Sequence, residues 1–174
     1  IAGVVTITAE INSMAANKRY EQGWVNEISE DVDKAIDIAL KYKKEGNAHS
    51  VAYLGNIVDL WERLADRNVK VDIGSDQTSL HNPYAGGYYP AGLSFDEANT
   101  MISQAPEEFK EYVKKSLTRQ VDAINKLTAE GMYFFDYGNA FLLESSRAGA
   151  DIMDEDGESF RYPSYVQDIM GPKC

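Results

Sequence analysis

Cysteine and histidine are the scarcest chemistry in this sequence: one thiol, Cys174, and two imidazoles, His49 and His81. A single cysteine cannot close an internal disulfide, which is compatible with a reducing, cytoplasmic setting. The three side chains make no zinc-ligand spacing, so no metal is expected. With no histidine beside it in the chain, Cys174 is assigned no catalysis, and no catalytic residue is expected elsewhere in this chain. Basic residues are also few, 17 against 28 acids, for a net charge of -11. Such a surface repels a phosphate backbone, which argues against nucleic acid as a partner. No run approaches about 18 apolar residues and no basic leader with an apolar core opens the chain, so neither a membrane span nor a signal peptide is expected. Also missing are internal repeats, low-complexity tracts and any G-x-G-x-x-G fingerprint. The acidic stretch Asp151–Glu158 lacks the alternating ligands and distal glutamate of a calcium loop and reads as a turn.

What is present suits one soluble domain: 174 residues, 44% hydrophobic and 26% charged. The chain opens on Ile1 without an initiator methionine and stops at Gly171-Pro172-Lys173-Cys174, so an excerpt from a longer polypeptide is expected.

Hydrophobic patterning gives the elements. Gly3–Ala9 is short and β-branched, a buried strand ending at the acid Glu10. Asn12–Gln22 is a short helix or loop. Ser29 is expected to cap a helix with Ile28, Val32, Ile36 and Leu40 on one stripe, lysines in its last turn and Gly46 as its stop. His49–Leu54 is a strand, with His49 packed at its start, and Gly55-Asn56 turns it into a helix carrying Ile57, Val58, Leu60, Trp61 and Leu64. Val69–Ile73 is a third strand, delivering the chain to a loop at Gly74. A capping box at Ser94–Glu97 opens a helix to about Ala105. Pro106 starts a longer one with Phe109, Val113, Leu117, Val121 and Ile124 on its stripe and Gly131 at its end. Met132–Phe135 is a fourth strand, and Ala140–Arg147 a helix. Strands separated by helices predict an α/β fold with a parallel sheet flanked by helices. Ligands then lie beyond the carboxyl ends of the strands. Glu10, Gly55-Asn56, Ser75–His81 and Asp136–Asn139 are all expected on that one rim.

The stretch Ser75–Gly92, SDQTSLHNPYAGGYYPAG, is polar, glycine-rich and aromatic together. Gln77, Thr78, Ser79, His81 and Asn82 supply donors and acceptors, while Tyr84, Tyr88 and Tyr89 supply flat amphipathic rings. Its aromatic content argues against disorder, and an ordered loop of this length is commonly functional. The bland alternative is an ordinary surface loop. Asn56 at a helix start can be a cap, or can meet a nucleotide phosphate together with the first-turn amides. Asp136-Tyr137 can equally be a plain strand-end turn.

The stretch DQTSLHNPYAGGYYPAG resembles urocanase, with support from the strand ending in Glu10, from YLGN at Tyr53–Asn56, FDYGNA at Phe135–Ala140 and the closing YPSYVQDIMGPKC. The resemblance covers essentially the whole chain, residues 1–174. It implies a Rossmann-like NAD-binding domain, incomplete at its N-terminus because the family's first strand and glycine-rich turn precede Ile1. On the matching motifs Glu10 takes the adenosine ribose, and Asn56 and Ile57 line the cofactor. Gln77, Thr78, Ser79, Leu80 and His81 wrap it, Tyr88 and Tyr89 pack along it, and Tyr137 reaches it from the last strand. Where some members carry an NAD-contacting arginine, this chain has Ala15, with Lys18 or Arg19 one turn on as substitutes. The implied reaction is hydration of urocanate in histidine degradation, with NAD as electrophile, in a cytoplasmic homodimer. The family's essential cysteine lies elsewhere in the subunit. The NAD domain of a dehydrogenase and a non-enzymatic nucleotide-binding module are the alternatives.

Overall fold

A computed structural model describes residues 3–78 and 80–173, so Ser79 and Cys174 lie outside the described residues. The chain divides into two compact units, Ile1–Leu64 and Ala65–Cys174. Among the described residues five strands form two sheets, both wholly parallel.

In the first unit β1 (Val5–Glu10) leads through α1 (Ser13–Glu21) to β2 (Glu27–Ser29), and α2 (Val32–Glu45) leads to β3 (His49–Leu54) and α3 (Ile57–Asp66). The sheet order is β1-β3-β2. β3, the central strand, is buried almost throughout, as both faces of a parallel strand should be. Asn12 caps α1 by accepting from the amide of Met14, which makes a helix of a segment whose sequence periodicity is weak. His49 is packed as expected, stacked on Tyr42 at 3.6 Å between centroids and 2.9 Å from Glu27.

Two sequence expectations fail here. Ser29 belongs to the three-residue strand β2, too short to announce itself in the sequence, and Asp31 is the cap of α2, accepting from Lys34 N at 2.9 Å. The buried face of α2 is Ala35, Ile36 and Ala39, while Leu40 is exposed. Small alanines bring the helix close to the sheet, and a stripe picked by side-chain bulk misses them.

In the second unit β4 (Ile73–Asp76) pairs with β5 (Tyr133–Asp136). The expected strand Val69–Ile73 is displaced: it begins where the expectation ends it, and Gly74, Ser75 and Asp76 belong to the ladder. β-branched residues suggest a strand, but hydrogen bonding to Tyr133–Asp136 decides which residues form it. Between the strands lie a 3₁₀ turn (Pro83–Ala85), α4 (Phe95–Gln104) and α5 (Pro106–Ala129). The capping box of α4 forms as read, with both reciprocal bonds between Ser94 and Glu97. Phe109, Val113, Leu117, Val121 and Ile124 of α5 are all fully buried. After β5 come α6 (Ala140–Arg147) and a π-helical turn (Tyr165–Met170). Among the described residues no helix is long and apolar enough to cross a membrane.

Candidate functional site

The residues expected on the rim form a strand-end pair on each sheet. In the first unit Glu10 stands opposite Leu54 in the parallel register, and Gly55 N donates to Glu10 O at 3.1 Å. That bond puts the Glu10 side chain and the β3–α3 turn at the same edge. One carboxylate oxygen of Glu10 accepts from Asn12 N at 3.0 Å, and the other from Arg19 at 3.3 Å. Each oxygen keeps acceptor capacity for a further donor. Arg19, one turn beyond Ala15, is thus the basic group that reaches the strand-end acid.

Asn56 caps α3: its side-chain oxygen accepts from Val58 N at 2.9 Å, and the residue is buried. Ile57, half-buried, is the first helical residue behind it. The turn depends on Gly55, because a Cβ there would fall 2.2 Å from the Tyr53 ring, which folds back over it. Burial of that ring, together with the negative field of Asp59 and Asp31, raises the Tyr53 phenol above its ordinary pKa.

In the second unit Asp76 stands opposite Asp136, and Tyr137 N donates to Asp76 O at 3.0 Å. Both acids are buried. One oxygen of Asp76 accepts from Thr78 N at 2.9 Å and from the Thr78 hydroxyl, and the other accepts from Gln120 Nε2 at 2.8 Å. Asp136 accepts from Gly138 N at 3.2 Å and from Phe141 N at 3.1 Å, holding the strand-to-helix turn before α6. Burial raises the carboxyl pKa of both, and the charge of Asp76 raises that of Asp136 further, against hydrogen bonds that pull both down.

The residues expected to wrap a ligand divide by exposure. Gln77, Thr78 and His81 are exposed, as is Tyr137, whose ring stacks on Tyr165 at 5.5 Å. Leu80 and Tyr88 are buried, the latter with its hydroxyl bonded to Gln120 Oε1 at 2.9 Å. Tyr89 is half-buried, stacked on Phe95 and bonded to Asn99. Gly86 closes the 3₁₀ turn at φ +94, a conformation that L side chains rarely adopt. Sequence reasoning missed Gln120 and Ser116. Their signal was there: two polar residues four apart on the otherwise apolar stripe of α5.

The arrangement offers, at one strand-end edge, a carboxylate suited to a diol beside a helix start, and at the other exposed amide, hydroxyl and imidazole groups beside a half-exposed ring. Comparison with known proteins identifies the family. A family model described as the Urocanase Rossmann-like domain matches residues 1–169. The chain is 53% identical over 175 residues to a probable urocanate hydratase of Caenorhabditis elegans, covering 98% of this chain and 26% of that protein. It is 51% identical to a probable urocanate hydratase of Dictyostelium discoideum and 48% identical to the urocanate hydratase of Homo sapiens, again over 98% of this chain and 26% of each relative. The chain therefore spans about a quarter of the length of the curated relatives it matches. It belongs to the urocanase family, as that family's Rossmann-like domain.

Proposed function

We propose that this domain binds NAD within a urocanate hydratase, the enzyme that adds water to urocanate in histidine degradation. The observation that carries the reading is the family match across residues 1–169, joined to relatives of 48–53% identity that are named for this activity. The donor set supports it. In the first unit the proposed contacts are Glu10, through ribose hydroxyls that donate to its carboxylate, and Asn56 with Ile57 at the start of α3. In the second unit they are Gln77, Thr78, Ser79 and His81, with the Tyr137 ring, while Leu80, Tyr88 and Tyr89 form the packed side of the same loop.

When bound, NAD would supply an electron-poor nicotinamide ring, the electrophile of the proposed hydration. The chain's own residues bind and orient. Glu10 holds a diol by charge-assisted hydrogen bonds, which are stronger than neutral ones. In the loop after β4, Thr78 is already held by Asp76, so less of its conformational freedom is lost on binding. A cytoplasmic homodimer with no membrane or nucleic-acid partner completes the proposal; the net charge of -11 favours its last element.

The test is made on the full-length enzyme containing this domain. Denaturation is expected to release about one NAD per subunit, and the native enzyme to consume urocanate without accumulating reduced cofactor. Accumulating NADH would make it a dehydrogenase. A protein that releases no nucleotide would be a module of another kind.

A further inference from the structure

The buried face of α5 is apolar except at Ser116, 1% exposed, and Gln120, 0% exposed. Four residues apart, they lie one helical turn from each other on the same face. Both reach the loop that follows β4. Ser116 Oγ accepts from Ala91 N at 2.9 Å. Gln120 uses both ends of its amide: Oε1 accepts from the Tyr88 hydroxyl at 2.9 Å, and Nε2 donates to Asp76 at 2.8 Å. Asp76 in turn holds Thr78. A relay from buried Tyr88 through buried Gln120 and Asp76 to Thr78 therefore ties the start of the loop to its far end. A leucine at position 120 would fill the space without needing partners, so packing alone does not account for the amide.

We infer that Gln120, supported by Ser116, is a positioning residue: it fixes Gln77 and Thr78 in the conformation that receives the nucleotide. The inference rests on the NAD reading and adds to it residues on a different element, remote in sequence from the loop. Removing one link frees the loop, so that ordering it falls on each binding event.

The experiment uses the full-length enzyme as purified and its Tyr88→Phe, Gln120→Leu and Gln120→Glu variants, with folding checked by circular dichroism. It measures nucleotide content and the NAD dissociation rate. Tyr88→Phe, which loses one buried hydrogen bond, is expected to release NAD about tenfold faster than the parent, and Gln120→Leu, which loses two, faster still. Gln120→Glu adds a readout that general destabilisation would not produce. The titratable partners of that side chain are Asp76 and Tyr88, and Asp136 is charge-coupled to Asp76. The carboxyl group this variant introduces can donate to Asp76 when protonated and cannot when ionised. Retention near the parent's is therefore expected at about pH 5, falling as pH rises to about 8. If Gln120→Leu does not fold, Tyr88→Phe, which deletes one oxygen, decides. Equal dissociation rates in the parent and Tyr88→Phe would overturn the relay alone, while a parent enzyme without nucleotide would overturn the NAD reading and the relay's purpose with it.

Discussion

Glu10 and Asp76 are both acids at the ends of parallel strands, yet burial gives them opposite work. Glu10 is partly exposed and has a basic partner in Arg19. Its replacement, Glu10→Gln, removes the charge from bonds to a diol, and NAD affinity is expected to fall by about ten- to a hundredfold in equilibrium titration of the apo-enzyme. An unchanged affinity would remove Glu10 from the site. Asp76 is buried and its carboxyl pKa is raised, so the folded protein holds that proton more tightly than the unfolded chain. The resulting stabilisation is complete below the unfolded carboxyl pKa of about 4 and is lost as pH rises through the higher folded value. Asp136 contributes with the same sign. Asp76→Asn keeps the shape and can keep the relay if the Gln120 amide turns over and the Tyr88 oxygen accepts. The variant is expected to gain stability on the parent as pH rises from about 4 to about 7, measured as the difference in urea midpoint. Midpoints that run parallel across that range would contradict this.

Among the elements, α5 carries the most of both packing and polar organisation in its unit. Leu117 sits fully buried between the turns that present Ser116 and Gln120. Leu117→Ala is expected to cost roughly 2–5 kcal/mol in urea denaturation, the range for emptied leucine sites in well-packed cores. A cost under about 1 kcal/mol would mean that the helix relaxes onto the gap. The apolar stripe of α5, its proline start and the capping box of α4 were legible in the sequence, since helix period and cap chemistry are local. β2 was not. Three residues carry too little pattern, and their strand identity comes from pairing with Val51–Tyr53. The position of β4 was misread for the same reason, because a ladder is a property of two segments. Gln120 was hidden differently: a polar residue on an apolar stripe looks like an imperfection until its partners on the loop are known.

At the scale of the whole molecule, the chain spans 26% of the length of its relatives, and the proposed catalysis belongs to the larger protein. The isolated 174-residue chain is expected to bind NAD more weakly than the full-length enzyme and to show no turnover of urocanate, followed by its absorbance. Turnover by the isolated chain would overturn that division of labour.

The sequence by itself determined the α/β class, the order of the helices, the acidic surface and the motifs through which the family is recognised. These follow from local propensity, periodicity and residue identity, which need no knowledge of distant contacts. Only the tertiary structure decided that the strands divide between two sheets, that Arg19 is the base reaching Glu10, that Asp76 and Asp136 stand side by side, and that an amide on α5 ties the loop shut. Each of those is a pairing between segments remote in the chain, and hydrogen bonds and burial are settled by neighbours in space.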